Sequence, residues 1–353
     1  MIEKTTCYRY RLPVVKRVRP SGVALCNREG LLFHAELESG ASAWGEAAPL
    51  PGFSHETIDD VLTAARNLFL DKRGMNLEKI LGAITSPSLY FAFESILHQI
   101  IVDGTDDRIV SISLCALITG DISVAHAQVE YALQQGYRTV KVKVGSADVG
   151  EEIRKIKTLL CDFTGCCRWR FDANRAWDYD AALRFCDVIA GDDGVDYVEE
   201  PLLEYQRMPE LQEASGVSCA VDETLQELSR CLFSNRTAYT MEQEVLLRRT
   251  VENVHALVWK PSLCMNPKCM NLDTAAPVVL SAAYESGVGT AAILEYAIRN
   301  ANGCAAGVDT YSRLEQDVLQ RRLPLSEGMA DMNKIRKTIV GINMNMLEEV
   351  WHV

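Results

Sequence analysis

The stretch Thr139-Val-Lys-Val-Lys-Val144 predicts a β-strand with two chemically different faces. Because side chains alternate across a strand, Lys141 and Lys143 lie on one face and the three valines on the other. In a barrel of parallel strands the valines would pack against helices while both lysines point inward. Taken alone, the pattern also suits an exposed edge strand that carries lysines for solubility.

Three later segments with strand character end in a carboxylate, at Asp172, Glu199 and Asp222. They follow one another at about the length of one βα unit, so their ends would meet at one rim of a barrel. Three carboxylates in one cleft repel each other, and a hard cation with oxygen ligands is the usual remedy. The spacing therefore predicts a magnesium site.

A further strand, His255-Ala-Leu-Val-Trp-Lys260, ends in a lysine that would lie across the barrel from Lys143. Two lysines facing each other across a bound metal suit the removal of a proton next to a carboxylate. The metal and an ammonium group would stabilise the resulting enediolate. Lys141 beside Lys143 would help to supply the base, because neighbouring cations favour a neutral amine.

The pattern along the chain changes near residue 103. Residues 1–103 are predicted to form an α+β domain, which includes a Gly- and Pro-rich loop from Trp44 to Phe53 and helices starting near Ser54 and after Pro87. Residues 104–311 alternate short apolar strands with amphipathic helices, which favours an α/β fold closed as a (β/α) barrel. Residues 312–353 are expected to pack back on the first domain. The predicted barrel strands end near Cys115, Val144, Asp172, Glu199, Asp222, Lys260 and Ile293.

A doubly wound open sheet is the alternative architecture, but no glycine-rich phosphate-binding motif follows the first predicted strand. The 353 residues carry a net charge of -12, which argues against a nucleic-acid binder. Twelve cysteines scattered through a long chain are typical of reduced thiols in the cytoplasm. Neither a signal peptide nor a membrane-spanning run is predicted.

Taken together, these motifs resemble the enolase superfamily in order and spacing. They are the Lys-x-Lys strand, Asp172-Ala-Asn-Arg-Ala-Trp177, Glu199-Glu-Pro201, Asp222-Glu-Thr224 and Lys260-Pro-Ser262. The resemblance implies a modified TIM-type (β/α) barrel with an α+β capping domain. It also implies that Asp172, Glu199 and Asp222 bind Mg²⁺ or Mn²⁺, that Lys143 is the general base, that Lys141 assists it, and that Lys260 is the cation over the intermediate. Glu200 and Glu223 are not carried over as ligands.

Within the superfamily, the segment from Trp44 to Thr57 and the motif Asp172–Trp177 resemble the o-succinylbenzoate synthase family of menaquinone biosynthesis. That resemblance implies a small-molecule carboxylate substrate and a lyase that dehydrates 2-succinyl-6-hydroxy-2,4-cyclohexadiene-1-carboxylate, with Lys143 as base and acid. A dipeptide epimerase or N-acylamino acid racemase of the same superfamily is the first alternative. A barrel without catalysis, acting as a binding or scaffold protein, is the second.

Two features depart from the family pattern. The interval from Asp222 to Lys260 is long, and residues 235–249 read as a lengthened loop and helix. The family's serine-rich strand, which helps to hold the substrate, is expected at residues 290–296, as Thr290-Ala-Ala-Ile-Leu-Glu-Tyr296. This change affects residues expected to hold the substrate and leaves the predicted metal ligands and lysines in place.

Overall fold

The first sheet of the protein is antiparallel and mostly N-terminal. The computed structural model describes residues 2–18, 24–70, 76–101, 111–120, 122–145, 148–234, 238–300 and 303–353. The sheet has the strand order β14-β1-β2-β3. Its strands are β1 (Ile2–Val18), β2 (Leu25–Leu37), β3 (Ser42–Ala47) and β14 (Leu347–His352).

Three helices cover one face of this sheet: α1 (Ile58–Leu70), α2 (Leu77–Leu81) and α3 (Pro87–Ile101). The predicted helix near Ser54 begins at Ile58, because Thr57 caps it by accepting from the Asp60 amide at 3.2 Å. The helix predicted after Pro87 begins at that proline, which suits the first helical position. Apolar side chains from both layers form the core between them, among them Phe33, Phe69 and Phe93.

The second sheet is a run of parallel strands in sequential order. A parallel bridge joins Leu114 to Ala306, and another joins Ser281 to Gly307, so residues 306–307 connect the two outer strands and close the ring. The strands are β5 (Cys115–Ile118), β6 (Thr139–Lys143), β7 (Arg168–Asp172), β8 (Val195–Glu199), β9 (Cys219–Val221), β10 (Ala256–Trp259) and β11 (Val278–Leu280). The predicted α/β barrel with an α+β capping domain is confirmed.

Helices follow the barrel strands and begin at polar caps. Asp148 accepts from the Glu151 amide at 2.9 Å, and Thr240 with Gln243 forms a capping box. The helices are α4 (Ala125–Gln134), α5 (Val149–Asp162), α6 (Tyr179–Ile189), α7 (Met208–Ser215), α8 (Glu223–Ser229), α9 (Met241–Glu252) and α10 (Gly287–Asn300). The helix predicted within residues 235–249 corresponds to α9, while residues 235–237 lie outside the described residues.

Five of the seven predicted strand ends lie within one residue of the observed ends. Two predictions are wrong. Cys115 begins β5 instead of ending a strand, because β4 (Ser111–Ser113) before it pairs outside the barrel. Ile293, and with it the whole predicted strand at 290–296, lies inside α10.

Glu46 explains why this apolar segment is a helix. Its buried carboxylate accepts from the Ser286 amide at 2.9 Å and from the Gly289 amide at 2.8 Å, at the start of α10. Tyr10 donates to the same carboxylate at 2.5 Å. A carboxylate stabilises the otherwise unpaired N–H groups of a helix N-terminus. Glu46 belongs to β3, so this contact also fastens the capping domain to the barrel.

The C-terminal residues return to the N-terminal half of the chain. β12 (Leu325–Ser326) and β13 (Met329–Asp331) form a small antiparallel sheet with β4, and α11 (Met332–Ile339) follows. β14 then pairs with β1, with Thr6 opposite His352. The division at residues 103 and 311 stays a prediction, and residues 102–110 lie outside the described residues. Within the described ranges, no helix combines the length and the apolar character needed to cross a bilayer.

Candidate active site

Three buried carboxylates lie at the carboxyl ends of neighbouring strands. Asp172 ends β7 directly opposite Glu199, which ends β8, and Asp222 follows β9. Their exposed fractions are 1%, 0% and 0%. Since parallel strands bring their carboxyl ends to one rim, the fold places side chains that are distant in sequence within one cluster.

Three lysines contact these carboxylates. Lys141 Nζ lies 2.7 Å from both Asp172 Oδ2 and Glu199 Oε1, and Lys143 Nζ lies 2.5 Å from Asp172 Oδ2. Lys260 Nζ forms an ion pair with Asp222 Oδ2. All six residues predicted from sequence are therefore in one cluster. Lys143 lies at the end of β6, and Lys260 directly follows β10. Strands β7, β8 and β9 lie between these two strands in the sheet.

The electrostatics of the cluster differ from residue to residue. Burial, and then the charge of Asp172, raises the pKa of Glu199 to about 8, although Lys141 opposes this. Burial would also raise the pKa of Asp172, but Lys141 and Lys143 together hold it well below its usual range. Burial lowers the pKa of Lys141, yet Asp172 and Glu199 outweigh it and the net shift is upward. The ion pairs therefore keep Asp172 and Lys141 charged, whereas at Glu199 burial and the neighbouring Asp172 charge outweigh the ion pair.

The three carboxylates supply the oxygen ligands that Mg²⁺ prefers, and all three are buried at one rim. As the side chains stand, no three acidic, His or Cys residues in the described part of the chain are gathered closely enough to hold a metal ion. Lysine ammonium groups lie against the carboxylates instead. The chemistry of the ligand set fits a divalent cation, provided that these ammonium groups move aside.

Glu200 holds the main chain next to the cluster in place. Its carboxylate accepts from the Asp222 amide at 2.9 Å, from the Thr224 amide at 2.7 Å and from Arg175 Nε at 2.9 Å. Arg175 and Glu200 both have positive φ, 60° and 42°, a conformation that costs energy outside glycine and persists where surrounding contacts hold it. Glu200 thus fixes the main chain at Asp222 and is not directed at the carboxylates.

Two residues near the cluster were given no role from sequence. Asn174 Oδ1 accepts from Lys143 Nζ at 2.6 Å, and Asn174 Nδ2 donates to Glu223 Oε1 at 3.0 Å. The buried Glu223 Oε2 has no hydrogen-bond partner among the described residues, and burial followed by the charge of Asp222 raises the pKa of Glu223 to about 7. In the sequence, the polar Asp172 and Asn174 alternate with Phe171 and Ala173, and this pattern is the signal for Asn174, which the structure places in the turn after β7.

A cavity of about 790 Å³ opens above the cluster. The capping domain contributes Leu50, Gly52 and Phe53, and Lys260 Nζ lies 5.8 Å from the centre of the Phe53 ring. The loop predicted from Trp44 to Phe53 is shorter than expected, because its first residues belong to β3. Ser281–Tyr284, directly after β11, occupy the wall where the sequence placed residues 290–296.

The comparisons with known proteins agree with this geometry. Residues 2–99 match the family model of the MenC N-terminal domain, and residues 124–232 match that of the enolase C-terminal domain-like family. The o-succinylbenzoate synthase of Vibrio cholerae is 30% identical over 314 residues, which cover 86% of this chain and 88% of the relative. The chain belongs to the o-succinylbenzoate synthase family. It is an enzyme of this family and of the enolase superfamily. The family member from Edwardsiella ictaluri is 29% identical and covers 90% of this chain and 94% of its own.

Solved structures share the fold. The o-succinylbenzoate synthase of Thermosynechococcus elongatus, determined with Mg in its active site, superposes with a TM-score of 0.70 at 24% identity and covers 89% of this chain and 95% of its own. The dipeptide epimerase of Cytophaga hutchinsonii, determined with Mg and a dipeptide, has a TM-score of 0.74 at 16% identity, covering 99% of each chain. The epimerase alternative therefore has similarity of fold but no better support than the synthase family.

Proposed function

We propose that this enzyme is a hydro-lyase that converts 2-succinyl-6-hydroxy-2,4-cyclohexadiene-1-carboxylate to o-succinylbenzoate in menaquinone biosynthesis. The observation that carries the proposal is the placement of Lys143 and Lys260 at the ends of two well-separated strands, around three buried carboxylates in one cavity. This arrangement suits removal of a proton next to a carboxylate, with positive charge near the oxygens that become negative. The family relationship supports the choice of substrate.

The lysines have different tasks in this reaction. Lys143, as a neutral amine, takes the proton from the ring carbon that bears the carboxylate. It then returns that proton to the departing hydroxyl group on the same face, so that water leaves and the ring becomes aromatic. Lys260 stays protonated near the enediolate. Lys141, which contacts the same Asp172 oxygen as Lys143, keeps the local charge positive. Asn174 orients Lys143 through its hydrogen bond of 2.6 Å.

Asp172, Glu199 and Asp222 would hold the divalent cation that the family implies, with Mg²⁺ the expected ion and Mn²⁺ a possible substitute. When bound, such a cation supplies positive charge that stabilises the carboxylate oxygens of the enediolate. Lys143 and Lys260 would exchange their present contacts with Asp172 and Asp222 for contacts with the substrate.

The test is an anaerobic incubation of the purified protein and Mg²⁺ with the cyclohexadiene substrate, followed by ultraviolet absorbance of the aromatic product. Wild type should form product, and Lys143→Ala should lose several orders of magnitude in kcat, as expected when a general base is removed. Lys4→Ala is the control, because Lys4 lies on the exposed side of β1 with its nearest acid, Glu36, at 3.8 Å. Unchanged turnover in Lys143→Ala would exclude the assigned base.

Exchange with deuterated water separates the lyase from the racemase. The wild type should not racemise enantiopure N-acylamino acids or dipeptides. A racemase would racemise these compounds. In that case Lys143→Ala would retain proton exchange on only one face of the substrate carbon, and Lys260→Ala on only the other face. Efficient racemisation without dehydration would replace the lyase assignment and leave the fold assignment in place.

We further propose that residues 104–311 form the catalytic domain, residues 1–103 the capping domain, and residues 312–353 a segment that packs on the capping domain. Pairing of β14 with β1 supports the last part. We also propose a small-molecule carboxylate as the partner and the cytoplasm as the location. The twelve cysteines are free thiols, which is usual for proteins of a reducing compartment.

A further inference from the structure

Most cationic side chains that line the cavity already have partners. Lys141, Lys143 and Lys260 contact carboxylates of the cluster. Arg175 Nη1 donates to Glu227 at 2.6 Å and Arg175 Nε to Glu200, while Arg230 Nη2 donates to the Phe53 carbonyl at 3.2 Å. These contacts satisfy the cations at the end of the cavity nearest the carboxylates and under the capping loop.

Arg313 is different. Its half-buried side chain lines the same cavity and makes no hydrogen bond or ion pair with any residue in the described ranges. The carboxylate of the nearby Asp309 accepts a hydrogen bond from the Leu117 amide at 3.1 Å. Burial raises the pKa of Asp309 and the charge of Arg313 opposes this, so the two are within electrostatic range without forming an ion pair.

Tyr284 lines the same cavity as Arg313, and its hydroxyl group has no hydrogen-bond partner among the described residues. Burial raises the pKa of Tyr284, while the charges of Arg313 and Lys260 both lower it. The phenol is therefore within electrostatic range of the reacting end of the cavity and of the unpaired guanidinium. A carboxylate bound here would accept hydrogen bonds from both groups.

The main chain of Tyr284 is held in an unfavourable conformation. Its φ of 64° lies in the left-handed region, which a bulky residue seldom adopts. The Tyr284 carbonyl accepts from Arg28 Nε at 3.0 Å, and its amide donates to Thr310 Oγ1 at 3.3 Å. Strain that neighbouring contacts maintain is common where the direction of a side chain matters for binding.

We propose that Arg313 and Tyr284 bind the second, aliphatic carboxylate of a dicarboxylate substrate, which is the end of the succinyl chain. The inference rests on the proposed function, in which the carboxylate cluster and Lys260 deal with the carboxylate on the ring. A guanidinium presents paired donors that match a carboxylate, and a partly buried cation without an anion is costly. The two residues would therefore select a substrate with a charged tail.

The test compares two ligands that differ only at the tail: o-succinylbenzoate and 2-butyrylbenzoate, which ends in a methyl group. Calorimetric titration with Mg²⁺ present should give a higher affinity of wild type for o-succinylbenzoate. Arg313→Gln should lower the affinity for o-succinylbenzoate by about tenfold to a hundredfold, the usual range for a charged hydrogen bond, and change the affinity for 2-butyrylbenzoate by less than about twofold. Tyr284→Phe should lower the affinity for o-succinylbenzoate by a few fold.

Arg230→Gln is the matched comparison, because Arg230 also lines the cavity and forms no ion pair with the residues that the structure describes, but it donates to the Phe53 carbonyl. In turnover, Arg313→Gln should raise KM for the cyclohexadiene substrate and leave kcat nearly unchanged, and Arg313→Lys should recover part of the loss. Equal weakening of both ligands by Arg313→Gln, no weakening of either, or selective weakening by Arg230→Gln alone would overturn the proposal. Selective binding of o-succinylbenzoate without any turnover would support the subsite and reject the proposed reaction.

Discussion

Arg28 donates from Nε to the main-chain oxygen of Tyr284 at 3.0 Å and so joins the capping sheet to the wall of the cavity. The same guanidinium donates to the carbonyl of Pro49 at 2.7 Å and to that of Ala48. Its exposed fraction is 0%. Because residues 48 and 49 lead into the loop of Leu50 and Phe53, one buried side chain fixes two parts of the cavity wall relative to each other.

Arg28→Lys should therefore lower both stability and substrate affinity. A lysine ammonium group cannot donate to all the carbonyls that the planar guanidinium group of Arg28 reaches. Each buried carbonyl left unpaired costs about 1–3 kcal/mol. We expect the free energy of unfolding in urea to fall by about 2 kcal/mol and KM to rise. Arg9→Lys is the control, because Arg9 forms a partly exposed ion pair with Glu29 at 2.7 Å, worth about 1 kcal/mol or less. Equal losses in both variants would contradict a special role for Arg28.

Phe53 should act as a cover for the reacting end of the cavity. Its ring lies 5.8 Å from Lys260 Nζ, so its removal would admit water beside that ammonium group and weaken the charge interaction. Phe53→Ala is expected to raise KM or lower kcat about tenfold while the thermal unfolding temperature changes little. Phe163→Ala provides the comparison, since Phe163 follows α5 at the opposite end of the barrel. Unchanged steady-state kinetics in Phe53→Ala would remove the loop from the site.

Removal of divalent metal should abolish activity, because Asp172, Glu199 and Asp222 are the expected ligands. Dialysis against a chelator followed by addition of Mg²⁺ or Mn²⁺ should restore it. Metal binding to the folded state should also raise the unfolding temperature of wild type with increasing Mg²⁺. Asp222→Asn is expected to reduce this shift. Full activity after exhaustive removal of metal would show that the requirement is wrong.

Glu94 should make stability depend on pH. This side chain of α3 accepts from Tyr296 Oη at 2.5 Å and from Asn266 Nδ2 at 3.0 Å, between the capping domain and the barrel. Burial raises the pKa of Glu94 more than these bonds and the charge of Lys268 lower it. Between the ordinary and the raised pKa, the folded state binds more protons than the unfolded state.

The free energy of unfolding of wild type, relative to Glu94→Gln, should therefore be highest at acidic pH and fall as the pH rises through the raised pKa. Urea titrations of both proteins at several pH values measure this difference. The phenol of Tyr90, 3.5 Å from Glu94, is expected to remain protonated throughout, because burial raises its pKa. The assignment would be contradicted if the free energy of unfolding of wild type, relative to Glu94→Gln, stayed constant or increased as the pH rises.

Short-range patterns were enough to predict most of the barrel and the cluster. The strands ending at Asp172 and Glu199 were predicted at their observed ends, because period-two alternation and a terminal carboxylate are both local features. The convergence of Asp172, Glu199, Asp222 and the three lysines followed from one general property of parallel strands, whose carboxyl ends meet at one rim.

Other features depend on partners that are distant in the chain. Residues 290–296 are an apolar run, which is compatible with a buried strand or a buried helix, and Glu46 of β3 decides for the helix by binding its first amides. The positive φ of Tyr284 is held by the hydrogen bond from Arg28. Arg313 differs from the other cations that line the cavity because they have partners, whereas its side chain has none among the described residues. Sequence alone therefore determined five of the seven predicted barrel strand ends and the class of chemistry, since these follow from local alternation. Tertiary structure alone decided which polar groups of the cavity remain available to a substrate, because each depends on contacts between residues far apart in the chain.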